Sequence, residues 1–152
     1  MAPAKIILLL LRLGLGGVFI CAGAVKIVDA QNFARDISHY QLTPWIISVL
    51  AAVYLPWVEV LAGLAIIIRR LPLGAALALV LMNTVFLAAI TSAWARGLDI
   101  SCGCFGKEEH SIQTHFSEII LRDSALLATA VILFIAEIRA AHERNTATQK
   151  AA

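Results

Sequence analysis

The stretch LPLGAALALVLMNTVFLAAITSAWA, Leu71 to Ala95, runs without one charged residue. A helix needs about 20 apolar residues to cross the roughly 30 Å hydrocarbon core of a bilayer. This stretch is long enough. Its apolar residues do not alternate with polar ones, so a barrel strand is excluded. One segment of this kind makes the chain an integral membrane protein, and the flanking sequence shows how many times it crosses.

Working outward, Ile46 to Ile68 carries a single charge, Glu59, and Ile6 to Val28 carries two, Arg12 and Lys26. Glu118 to Ile138 reads as the fourth span, with Arg122 and Asp123 near its start. The whole chain agrees: 61% of its 152 residues are apolar and 14% charged, with a mean hydropathy of +0.87. Soluble domains average about half apolar and a quarter charged. Nine Gly, four Pro and three Cys are too few for collagen-like, disordered or disulfide-scaffold chains. A net charge of +2 gives no footprint for nucleic acid. The expected fold is an all-α, integral membrane four-helix bundle. It forms one domain over 1–138, with spans at about 6–28, 46–68, 71–95 and 118–138 and a polar, frayed tail over 139–152.

The first span also has the outline of a signal peptide, and Ala22-Gly23-Ala24 resembles a cleavage site. Arg12 interrupts its apolar run, which favours a retained helix. Between the first two spans, Phe33, Ile37 and Tyr40 recur at i, i+4 and i+7 while Gln31, Asn32, Arg35 and Asp36 face elsewhere. That predicts a short amphipathic helix at the interface, ended by Leu42-Thr43-Pro44. Trp45 and Trp94 are interfacial anchors, and Arg69-Arg70 with Pro72 make a tight turn. The sizeable polar loop, 96–117, holds CGCFG.

With the N-terminus in the cytoplasm, that side holds seven Lys and Arg against five. Setting aside the intramembrane Arg12, Lys26 and Arg122 leaves six against three. The positive-inside rule therefore predicts a multi-pass protein of the bacterial inner membrane with both termini cytoplasmic and the CGCFG loop extracytoplasmic.

Cys102 and Cys104 are separated by one glycine. A bond between them needs Cα atoms within about 4.4–6.8 Å, so the backbone must turn, and Gly103 and Gly106 permit that. So small a ring is strained, and strained exposed disulfides are the exchange-competent ones. A structural staple instead gains by closing a long loop, which this ring does not do. Two alternatives stand beside redox exchange. One is an inert bridge or idle thiols. The other is a metal site of Cys102, Cys104, His110 and His115, although zinc cysteine pairs normally have two to four residues between them. Cys21 falls on a stripe with Gly14, Gly17 and Ala24, a spacing that suits close helix packing.

Charges inside the membrane are costly and are paired or functional. Counting about 1.5 Å per residue from the span ends puts Arg12, Glu59 and Asn83 at similar depth. The expectation is an Arg12–Glu59 clasp with Asn83 nearby, or a proton or quinol path through the same groups. Lys26, Arg122 and Asp123 cluster at the opposite face. There a cation would favour a thiolate or bind a quinone oxygen, and Trp94 and Phe105 would help to line the pocket.

GGVFICAGAVK (16–26), NFARDISHYQLTP (32–44), LPWVEVLAGLAII (55–67), RGLDISCGCFG (96–106) and the later LRDSALL together resemble the MauE family, within the wider DoxX-like group of four-span membrane proteins. The resemblance implies a membrane component of extracytoplasmic redox maturation that acts with a thioredoxin-like partner. Its family context is methylamine utilisation and the making of a disulfide-rich dehydrogenase. Two functions follow. In the first, Cys102 and Cys104 exchange a disulfide with a thioredoxin-fold partner and pass electrons to or from a membrane quinone. In the second, the chain is a non-catalytic assembly subunit or chaperone that docks its partner through the CGCFG loop.

Overall fold

The computed structural model describes the backbone of residues 3–97 and 112–151, and side chains over 6–97 and 119–143 together with Thr146 and Gln149. Five helices follow in order: α1 (Pro3–Val28), α2 (Ala30–His39), α3 (Trp45–Ile68), α4 (Pro72–Ala95) and α5 (Ile112–Ala151). The described residues contain no strand. Four segments are long and apolar enough to cross a membrane: Ile6–Val28, Trp45–Ile68, Pro72–Ala95 and Ile119–Glu143. The all-helical, four-span architecture expected from hydropathy is the one observed.

Going round the bundle the order is α1, α3, α4, α5, with α5 closing back on α1. Apolar surface gives little drive to helix association in lipid, so close packing must hold such a bundle together. The α1–α3 contact shows how. A methyl group placed on Gly16 would stand 2.8 Å from the Gly63 carbonyl oxygen, and one on Gly23 would stand 2.7 Å from that of Pro56. The two backbones therefore touch. The expected packing stripe of Gly14, Gly17, Cys21 and Ala24 is a different face of α1. Gly14 and Gly17 have nothing within 4 Å of an added methyl, and Cys21 and Ala24 are exposed. The spacing alone could not say which of two small-residue stripes meets a neighbour.

The Arg69-Arg70 turn is tight because Arg69 (φ 60°) and Leu71 (φ 51°) both adopt left-handed backbone before Pro72 restarts the helix. Beyond α1, Asp29 caps α2. Its carboxylate accepts from the Asn32 backbone N–H at 3.4 Å and from Asn32 Nδ2 at 2.6 Å. The amphipathic helix then turns its apolar stripe inward. Phe33 and Ala34 are buried against Ala52, beside Ile37, Val49 and Leu55, and Tyr40 is buried with Ile90 and Ala93. Arg96 fixes this arrangement by donating from Nη2 to the Tyr40 carbonyl oxygen at 2.6 Å. The tail expected to fray continues α5 as far as Ala151. Ala140, Ala141, Glu143, Arg144, Ala147 and Gln149 are mostly strong helix formers, which favours continuing the helix.

The bundle interior is layered. A central apolar layer of Leu15, Phe19, Ala62, Ile66, Ala75, Ala76, Leu79, Ala130 and Leu133 lies between two polar ones. Arg12 and Glu137 form one polar layer, and Lys26, Glu59, Asn83 and Asp123 form the other.

Candidate functional site

Each of the four spanning helices places a polar side chain in the second of these layers. Lys26 comes from α1, Glu59 from α3, Asn83 from α4, and Arg122 with Asp123 from α5. Facing helices of a bundle commonly build their sites in this way. Lys26 Nζ donates to Glu59 Oε1 at 2.5 Å. Its ammonium also lies 5.1 Å from the Phe33 ring centroid and 5.6 Å from that of Phe86. An ammonium at that range is drawn to the negative face of a ring, an attraction that grows when water is excluded. So α2, through Phe33, roofs the cation that α1 supplies.

Across the site, Arg122 Nε donates to Asp123 Oδ1 at 3.0 Å, and Asn83 Nδ2 donates to the Asp123 backbone carbonyl oxygen at 3.4 Å. The Lys26 charge also acts on Asp123. Glu59 is 4% exposed and Asp123 3% exposed. Each pairs through one oxygen only, and Glu59 Oε2 and Asp123 Oδ2 have no partner among the described residues. Both carboxylates line a cavity of about 50 Å³, together with Lys26, Asn83, Arg122 and Phe86.

The expected Arg12–Glu59 clasp is not formed. Arg12 donates from Nη2 to Glu137 Oε1 of α5, and Glu59 belongs to Lys26. Counting depth from span ends misled because the ends are not level. Gly23 of α1 faces Pro56 and Glu59, so α3 overhangs the end of α1 by about two turns, and α2 packs on that overhang. Asn83 accordingly joins Lys26 and Asp123 rather than Arg12. The grouping of Lys26 with Arg122 and Asp123 is observed. Glu137, which sequence reasoning passed over, is 2% exposed. Its signal was that of a lone acid in the final apolar run, one residue before the end of the expected span at Ile138.

Trp94 is exposed on the last turns of α4 and does not line the cavity. Cys102, Cys104, Phe105 and His110 lie outside the described residues, and of His115 only the backbone is described, within α5. From Asn83 the end of α4 is about 18 Å away along the helix, so the polar layer lies well inside the bundle.

The family model described as "Methylamine utilisation protein MauE" matches residues 4–136. The chain belongs to the MauE family. Methylamine utilization protein MauE of Paracoccus denitrificans is 30% identical to it over 96 residues, which cover 62% of this chain and 52% of that relative. The chain spans about half the length of the relative. No solved structure matches this MauE family member. The matched region takes in every residue of the buried layer and both cysteines of CGCFG.

Proposed function

We propose that the chain is a membrane thiol–disulfide redox protein whose Cys102 and Cys104 exchange a disulfide with an extracytoplasmic thioredoxin-like partner. The setting is the maturation of exported proteins in methylamine utilisation. The carrying observation is the pair of cysteines one glycine apart, within RGLDISCGCFG of a MauE family member. The six-to-three bias in basic residues supports an extracytoplasmic CGCFG loop and cytoplasmic termini in a bacterial inner membrane. A thiolate of the reduced protein attacks one sulfur of the other's disulfide. The new S–S bond is a mixed disulfide, and the displaced sulfur leaves as a thiolate. The attacker's second thiol then loses its proton and resolves the mixed disulfide, so that one disulfide and two thiols are exchanged between the proteins.

In this reading a membrane quinone exchanges electrons with the cysteine pair and would supply two-electron chemistry when bound. Lys26 and Arg122 do not fit its headgroup. The cavity they line measures about 50 Å³, whereas ligand pockets run to roughly 300 Å³ or more. The quinone would have to reach the cysteines outside the bundle core.

The test is capture in cells. Cys102→Ser and Cys104→Ser are introduced singly, with Cys21→Ser as background. One of the two should accumulate a mixed disulfide with a thioredoxin-fold protein, and the double substitution should abolish maturation of the exported target. A double variant that still matures the target, only more slowly, would instead indicate an assembly subunit that docks its partner.

A further inference from the structure

On the outside of the bundle, α2 and α3 leave a groove of about 370 Å³ between them. Ala30 and Ala34 line it from α2, and Val49 and Val53 line it from α3, each pair one helical turn apart. Trp45, one turn before Val49, continues the α3 wall. The alanine side chains are too short to fill the seam. Because α3 spans the membrane and Trp45 opens it, the wall from Trp45 to Val53 reaches about 12 Å from the interface into the hydrocarbon. A groove of that size is within the range of ligand pockets, roughly 300 Å³ or more. Alanine and valine at that depth are covered by an acyl chain and not by water.

The polar edge of the groove selects the headgroup. Gln31 and Arg35, one turn apart on α2, both line it and both are exposed. Among the described residues Arg35 is the single charged group in the lining, and it makes no ion pair. Asp36, its neighbour in the chain, does not line the groove. The guanidinium is held by a short relay. Arg35 Nη1 donates to Asn32 Oδ1 at 3.1 Å, and Asn32 Nδ2 donates to the Asp29 carboxylate at 2.6 Å. Asn32 therefore stands between carboxylate and guanidinium, and it takes one of the five N–H groups that the guanidinium carries. The remaining fork of donors matches the oxygens of a phosphate.

A second groove, between α1 and α5, supplies the contrast. It measures about 410 Å³ and has an apolar wall that includes Leu8 and Ile132, but Arg139 and Glu143 both line it one turn apart. Its charges balance, so it offers an anion nothing that the α2–α3 groove offers.

We infer that the α2–α3 groove is a binding site for an anionic phospholipid, whose phosphate meets Arg35 and Gln31 and whose acyl chain lies along Ala34, Val49 and Val53. A lipid held there braces α2, the helix whose Phe33 ring covers the Lys26 ammonium. The site is independent of any chemistry at Cys102 and Cys104.

The test is quenching of Trp45 fluorescence by phospholipids brominated on the acyl chain. Full-length protein with Trp57→Phe and Trp94→Phe is reconstituted in phosphatidylcholine vesicles containing a minor share of brominated phosphatidylglycerol or, in parallel, of brominated phosphatidylcholine. The anionic lipid should be preferred about fivefold at Trp45, the gain that one basic residue makes at an anionic surface. Arg35→Gln should bring the ratio to about one, and Arg139→Gln should leave it unchanged. Val49→Phe fills the groove with Arg35 intact and should also abolish the preference, so the test stands even if Arg35→Gln fails to fold. A protein whose one tryptophan is Trp57, which does not line the groove, should show no preference. Equal quenching by the two lipids at Trp45 would overturn the proposal, and so would a preference that survives Arg35→Gln or Val49→Phe. Loss of the preference on adding inorganic phosphate would overturn it too, by assigning Arg35 to a soluble anion.

Discussion

Replacing Arg12 by Gln removes the partner of Glu137 and leaves that carboxylate buried with both oxygens unpaired. The side chains are 10% and 2% exposed, so solvent offers little relief. Breaking a buried pair in soluble interiors costs about 3–5 kcal/mol. Insertion scales put a charge at the centre of a spanning helix near 2.5–3.5 kcal/mol. About 3 kcal/mol is therefore expected for Arg12→Gln and for Glu137→Gln singly. The double variant has no orphaned charge, so the singles should overshoot it by about 2–3 kcal/mol of coupling. Arg12 with Glu59 should behave otherwise. The Lys26 that holds Glu59 lies about 21 Å along α1 from Arg12, with the apolar layer between them, so those two should add to within about 0.5 kcal/mol. The assay is loss of helicity in mixed detergent micelles of rising dodecyl sulfate content, with a double-mutant cycle for each pair. Additive Arg12–Glu137 energies beside a strongly coupled Arg12–Glu59 pair would refute the helix register and the layering built on it.

The glycines of α1 should split by face. Gly23→Ala, whose methyl meets the Pro56 carbonyl at 2.7 Å, should cost about 1–3 kcal/mol in the same assay, whereas Gly17→Ala should be neutral or gain up to about 1 kcal/mol. Arg96→Ala removes a charge-assisted bond to the Tyr40 carbonyl, worth about 1.5–3 kcal/mol, and should speed amide hydrogen exchange over α2 while sparing α3. Lys26→Met keeps the length of the side chain but strands Glu59, and should destabilise more than Lys26→Met combined with Glu59→Gln. A membrane-impermeant maleimide should label reduced Cys102 or Cys104 in right-side-out vesicles of the Cys21→Ser protein. Labelling confined to inverted vesicles would reverse the orientation.

The spans were legible because hydropathy over some twenty residues is a local property, and the lipid enforces it residue by residue. So was α2, whose Phe33, Ile37 and Tyr40 spacing describes one helical face. What could not be read was relative register. The partner of Glu59 depends on how far α3 overhangs α1, and that is fixed by which glycines meet: Gly16 with Gly63, and Gly23 with Pro56. Nothing in the spacing of Gly14, Gly17 and Cys21 distinguishes that stripe from the one a residue or two away. The gathering of Lys26, Arg122 and Asp123 was legible because the end of the first span and the start of the fourth lie at the same face of the bundle. Glu137 was missed because a single acid near the end of a span resembles an interfacial residue until its Arg partner is seen on another helix.

The redox titration of Cys102 and Cys104 tests the account most directly. Purified Cys21→Ser protein is equilibrated with glutathione buffers of stepped potential, quenched with acid, and its free thiols counted by mass. Structural bridges lie below about −300 mV, while exchange-competent pairs lie above, where about 30 mV corresponds to 1.4 kcal/mol for two electrons. A small ring closed across one glycine should titrate within the glutathione range, passing from disulfide to dithiol in one two-electron step. A pair that stays oxidised at every glutathione potential reached would contradict thiol exchange and leave the CGCFG loop as a fixed docking element.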